Sequence, residues 1–269
     1  MHYVFKPDKS LPANLGRVAR SQVAAAIAEL AELPEEDSVH QVRKRCKKLR
    51  ALLRLVRHEA EKLYRYENAQ FRTIANTLSA SRDAVSLRDA LLKLAPGKYP
   101  QIEALLSQQA EHKNDSRALD DARLQLQQAA QRFEAWPLKA LHWKHARRGY
   151  AKSYRRARKS MQQAFAEESA ENFHEFRKRV KDHWYHSRLM GKKHKKHIGK
   201  RRKPLKKLAK ALGDWRDLHL LCRHLAPLSA QFPGELIPLL DTACGKSDEL
   251  HGKIAQLSAD LFGPKKLEC

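Results

Sequence analysis

Cysteine is rare and scattered in this chain. Cys46, Cys222, Cys244 and Cys269 stand far apart and no Cys-x-x-Cys pair occurs, which argues against a structural zinc site or a disulfide framework. Long apolar runs are missing too. None approaches the ~18 residues that a membrane span needs, so no span is expected. The first eight residues, Met1-His2-Tyr3-Val4-Phe5-Lys6-Pro7-Asp8, hold no apolar signal region, and the expected location is the cytoplasm. Glycine is scarce, at 10 of 269 residues, and no strand-like alternation runs along the chain. There is no Gly-rich phosphate loop, no Gly-x-Ser-x-Gly elbow and no Cys/His nucleophile pattern. The expectation is therefore a protein without cofactor or catalytic activity.

Acid is also in short supply. Against 54 Lys and Arg stand 30 Asp and Glu, for a net charge of +24. Such a surface attracts polyanions, whether nucleic acid, anionic lipid or polyphosphate. The excess is uneven: residues 1–134 carry 23 basic and 17 acidic residues, whereas residues 135–269 carry 31 and 13. Solubility alone does not require so large an excess.

What the chain has is a repeat. Val39-His40-Gln41-Val42-Arg43-Lys44-Arg45-Cys46-Lys47 returns as Phe173-His174-Glu175-Phe176-Arg177-Lys178-Arg179-Val180-Lys181, with five of nine positions identical at an offset of 134. The same offset lays residues 71–91 on 205–225, matching Ala75 with Ala209, Leu78 with Leu212, Arg82-Asp83 with Arg216-Asp217, Leu87 with Leu221 and Leu91 with Leu225. A period this long exceeds a solenoid unit and reads as two copies of one small domain, residues 1–135 and 136–269. Cations persist as well as apolar residues, which core packing alone does not demand.

Ala, Leu, Lys, Arg, Gln and Glu dominate, so helix is the default. Four helices are expected in the first half: about 14–33, one capped by Asp37 or Ser38, about 60–94, and a Gln-rich one from Pro100 to about 134. Four more follow, near 145–168, 171–190, 198–229 and 233–262. The fold class is all-α, two tandem four-helix bundles. In the second helix, apolar positions 39, 42, 46, 49, 53 and 56 make a bundle seam, and His40, Arg43, Lys47, Arg50 and Arg54 run beside it, one residue round the cylinder.

That His-x-x-Arg-x-x-x-Lys stripe, present twice, is the strongest chemical signal. Residues three, four and seven apart share a helix face. An aligned row of cations suits a repeating anion: Arg grips phosphate oxygens bidentately, and Lys supplies a point charge. The candidate site residues are His40, Arg43, Lys44, Lys47, Lys48, Arg50 and Arg54, with His174, Arg177, Lys178, Lys181 and Arg188. Arg82, Asp83, Arg216 and Asp217 recur behind them, either orienting a cation of a neighbouring helix or forming structural ion pairs. Residues 192–207 hold ten cations in sixteen and are expected to stay mobile until a polyanion neutralises them. Lys152, Arg155, Arg156, Arg158 and Lys159 give the fifth helix a further basic face. Glu171-x-x-His174 and Asp37-x-x-His40 resemble half of a di-metal bundle site. Those acids sit where helix N-termini favour carboxylates anyway, beside cations that oppose metal binding, so no metal is expected.

These residues resemble the CHAD family, the conserved-histidine α-helical domain. The likeness rests on Val39-His40-Gln41-Val42-Arg43 through Lys47-Lys48-Leu49-Arg50, on His174-Glu175-Phe176-Arg177 with Lys181 and Tyr185, and on Leu212-Gly213-Asp214-Trp215-Arg216-Asp217. The resemblance implies two four-helix bundles related by a pseudo-two-fold axis, with a basic central channel that binds inorganic polyphosphate, and association with polyphosphate granules. It assigns binding to His40, Arg43, Lys47, Lys48 and Arg50, and to His174, Arg177 and Lys181. The second copy departs from the family pattern at Asp182, His183 and Trp184. The Glu-x-Glu-x-Lys signature of the triphosphate-tunnel domain found in many relatives is absent. The expected function is non-catalytic polyphosphate binding. The alternative is a basic helical protein that binds nucleic acid, although no helix-turn-helix, RNP aromatic set or basic zipper is present.

Overall fold

A computed structural model describes residues 3–78, 82–111 and 116–263, with the side chains of residues 82, 83, 111 and 116 left out. Helix dominates and no strand occurs among the described residues. The order is α1 (Leu11–Glu32), α2 (Glu35–Leu55), α3 (Glu61–Thr77), α4 (Arg82–Leu94), α5 (Pro100–Glu111), α6 (Ser116–Arg132), α7 (Trp143–Ala166), α8 (Ala170–Met190), α9 (Lys200–Leu225) and α10 (Pro233–Phe262). No helix among the described residues is long and apolar enough to cross a membrane.

The described residues hold ten helical stretches where eight helices are expected. The anticipated helix over 60–94 is two, α3 and α4, the first capped at Leu78. The stretch expected as one helix from Pro100 to about 134 is described as α5 and α6, and residues 112–115 between them lie outside the described residues. Nonlocal burial overrides local propensity here. α4 and α5 pair with each other, and Leu91, Ile102 and Leu106 share an apolar cluster with Leu221 and Leu225 of α9 and Leu236 and Leu239 of α10. The matching stretch of the second half, residues 205–225, stays within the single helix α9. The second helix also begins earlier than expected, with Pro34 as its cap residue rather than Asp37 or Ser38. Glu35, Glu36 and Asp37 fill its first turn, where the helix dipole favours negative charge.

α1, α2, α3 and α6 pack together, as do α7, α8, α9 and α10, and α2 joins the two groups by packing on α7 and α8. Val42, Cys46, Leu49 and Leu53 of α2 and Phe173, Phe176 and Val180 of α8 are all buried. Those stripes fix the rotation of both helices, which is what aims their cations. The crossing with α7 is close. A Cβ on Gly149 would lie 1.7 Å from the Leu55 carbonyl oxygen, so only glycine fits there.

Most of the basic run 192–207 takes up helical geometry in the structure. It forms a π-helical turn, Lys195–Gly199, and the first turns of α9. Lys193 donates to the Pro7 carbonyl at 3.2 Å and its ammonium lies 4.4 Å from the centre of the Trp143 ring. Arg201 donates to the Leu261 carbonyl at 2.5 Å. Carbonyls and rings hold these cations despite their mutual repulsion.

Candidate functional site

The first copy of the repeated motif lies in α2 and the second in α8, near the start of each helix. From α2, Arg43, Lys47, Arg50 and Arg54 reach a cleft of about 1010 Å³. From α8, His174, Arg177, Lys178, Arg179 and Lys181 reach the same cleft, and α9 adds Arg216, Asp217, Arg223 and His224. Ten of its lining residues are Lys or Arg, and three, Glu175, Asp182 and Asp217, are acids. The two cationic rows thus share one trough.

Its groups have defined partners. Arg43 donates to the carbonyl of Ala75, near the C-terminal end of α3, where backbone carbonyls carry partial negative charge. Arg50 donates to Asn68 Oδ1 at 3.0 Å. Arg54 pairs with Asp182, one of the positions at which the second copy departs from the family pattern. Glu175 accepts from Lys178 and from Arg179, each at 2.5 Å. Burial raises the Glu175 carboxyl, but those two cations outweigh it and hold it below its usual range. Burial keeps Asp217 above its usual range, against the pull of Arg177 and Arg216. His174 is pushed down to about 4 by burial and then by Arg216, Lys178 and Arg177. It is therefore neutral near pH 7, and its Nδ1 is buried without a hydrogen-bond partner. Arg177 lies against the backbone of α9, since a Cβ on Gly213 would fall 3.6 Å from its Nε.

The other candidates fall elsewhere. His40 is exposed and lines a neighbouring cleft of about 1140 Å³ with Glu36, Asp89, Lys93, Asp214 and Asp241. Lys44 is exposed, donates to Gln41 Oε1 at 3.3 Å and lines neither cleft. Lys48 is only 6% exposed. It lies 5.9 Å from the centre of the Tyr3 ring, and its pKa is lowered to about 8 by burial, then by Arg45 and Arg188. Positions 44 and 48 follow 43 and 47 by one residue, about 100° round the helix, which turns them away from the trough. Arg188 stacks over Tyr3 and Trp184, 5.4 and 5.1 Å from the ring centres. The amino-terminal segment covers that end of α8, with Phe5 N donating to Leu189 O at 2.8 Å. Arg216 and Asp217 line the trough directly rather than standing behind it. The side chains of Arg82 and Asp83 lie outside the described residues.

Sequence reasoning missed Arg179, Asp182, Arg223 and His224. Arg223 stands seven residues after Arg216, a spacing that keeps it on the same face. Arg179 had no such signal, because its twin Arg45 turns away to Glu29 at 2.5 Å and to Gln22 at 3.0 Å.

Among the described residues no group of three or more His, Cys, Asp or Glu is placed to hold a metal ion. A buried Ser–His contact does exist, with Ser153 Oγ 2.8 Å from His183 Nδ1. Ser153 donates its proton to the Tyr150 carbonyl at 2.7 Å. It therefore accepts from His183, whose imidazole acts as a donor there and not as a base.

Comparison with known proteins bears on the family and the fold. The CHAD domain family matches residues 17–226. Among solved structures, the crystal structure of the CHAD domain from the plant Ricinus communis is similar at a TM-score of 0.63 and 19% identity, over 98% of this chain and 96% of that one. No curated protein matches.

Proposed function

Because the chain belongs to the CHAD domain family, we propose that it binds inorganic polyphosphate in the trough between α2 and α8 and performs no chemistry on it. The observation that carries this reading is the convergence of ten Lys and Arg from three helices on one cleft with three acids. Cations along a helix face recur every ~5–6 Å, and a phosphate chain presents negative oxygens at every unit. Arg50, Arg177 and Arg216 supply forks for bidentate contacts, and Lys47 and Lys181 adjust as point charges. His174, neutral in the free protein, offers one N–H and gains charge as a phosphate approaches. Because the cations line a recess rather than an open face, a thin chain reaches more of them than a duplex does. The protein's place in the cell, on this reading, is the cytoplasm at polyphosphate granules.

Net charge keeps nucleic acid as the rival. Calorimetric titration with long-chain polyphosphate at physiological salt tests the choice. Saturable binding that weakens steeply with salt, and that excess duplex DNA or RNA fails to displace, is the expected result. Displacement by nucleic acid overturns it.

A further inference from the structure

The cationic lining continues past the end of the trough. Arg54, Arg179 and Asp182 belong to two surfaces at once: they line the trough, and they line a small recess with His58, Lys152 and Arg156. α7 walls that recess because Gly149 brings its backbone onto the end of α2. Lys152 and Arg156 follow Gly149 by three and seven residues, so they share its helix face and are carried to Arg54. The charges there act on one another. Burial, then Lys152 and Arg156, hold the His58 imidazole below its usual range. Burial, then Arg57, Arg179 and Arg54, lower Arg156. The nearby acids are engaged, Asp182 with Arg54 and Glu59 with Arg148 at 2.9 Å.

The trough's other boundary is different in kind. There Ser86 and Asp217 are shared with the cleft that holds Glu36, Asp89 and Asp214. An anionic chain leaving on that side meets carboxylates. One leaving past Arg54 meets ammonium and guanidinium groups.

We propose that a polyphosphate chain seated in the trough continues over the Arg54–Asp182 pair onto Lys152 and Arg156 of α7, so that the protein selects for chains long enough to reach both places. This rests on the trough being a polyphosphate site. α7 is then a second stretch of the same track, and the affinity difference between long and short chains is set there.

The test uses the full chain with Lys152→Ala and Arg156→Ala combined, titrated with tripolyphosphate and with long-chain polyphosphate. A second double variant, Arg155→Ala with Lys159→Ala, removes equal charge from exposed positions of the same helix that do not line the recess. The expected result is a roughly tenfold loss of long-chain affinity in the first variant, with a salt slope lower by about 2. Tripolyphosphate binding stays unchanged, and the second variant stays within about twofold of wild type throughout. Three results overturn the extension while leaving the trough intact: undiminished long-chain affinity, equal losses for both ligands, or equal losses in both variants. A wild-type protein that binds neither ligand removes the trough reading, and the extension falls with it.

Discussion

Two large clefts lie side by side in this protein, share Ser86 and Asp217, and carry opposite charge. One is lined by ten Lys and Arg with three acids; the other holds eight acids, among them Glu35, Glu36, Asp89, Asp241 and Glu249, with Arg88, Lys93 and Lys246. In the second, Arg88 pairs with Glu36 at 3.0 Å, Lys246 with Glu249 at 2.5 Å, and Lys93 with Asp214. Helix α2 contributes to both. Its acidic first turn faces one cleft, and its Arg43, Lys47, Arg50 and Arg54 face the other. A net charge of +24 is thus a sum over regions of opposite sign. What selects a partner is the local field inside a recess, because low-dielectric walls strengthen it there.

Reversing charge in one cleft at a time separates the local field from the overall charge. Lys47→Glu with Lys181→Glu puts two carboxylates into the trough from opposing helices. Losing two charge-assisted contacts costs about 3 kcal/mol or more, so polyphosphate affinity should fall at least about 100-fold. Glu36→Lys with Asp89→Lys adds charge to the acidic cleft and should move the affinity less than about threefold. Comparable effects from both pairs, measured by titration at one salt concentration, would mean that overall charge and not the trough sets binding.

A smaller effect is expected from pH. The free-state pKa of His174 is about 4, and a phosphate beside it raises that value. Binding therefore takes up a proton, and affinity should rise as pH falls from about 7 toward 5. Calorimetry in buffers of different ionisation enthalpy should detect the uptake, and His174→Gln should abolish its pH-dependent part. The same depression acts on folding. The unfolded imidazole titrates near 6.5, so its contribution to stability is full above that pH and is lost as pH falls toward 4.

The smallest effect is expected at Lys48. It is buried on the side of α2 away from the trough, where an ammonium costs desolvation. Lys48→Met should leave polyphosphate affinity unchanged and should keep or raise the unfolding temperature. A large loss of affinity would return Lys48 to the binding surface.

Much of the molecule could be read from residue order alone, for reasons of periodicity. α10 runs from Pro233 to Phe262 as expected, and α8 starts one residue before its expected first residue, Glu171, and ends at Met190. Apolar spacing marks both helices, and Pro233 marks the start of α10. The faces of α2 and α8 were legible too, because a seam three and four apart forces the adjacent stripe outward. The break between α3 and α4 was not legible. It follows from where Leu91, Leu221 and Leu236 meet, and no local signal carries that. Nor could the motif separate its two histidines. His40 and His174 occupy equivalent positions, yet one faces carboxylates and the other faces guanidinium groups. The family resemblance assigns Lys48 to binding, whereas the helical angle turns it inward, where it is 6% exposed.

The most direct measurement is a crystal structure of the protein grown with polyphosphate. The expected result is a chain of phosphate density between α2 and α8, within hydrogen-bonding distance of Lys47, Arg50, Arg177 and Lys181. Density confined to the basic run at 192–207 or to the acidic cleft, with that trough vacant, would contradict it.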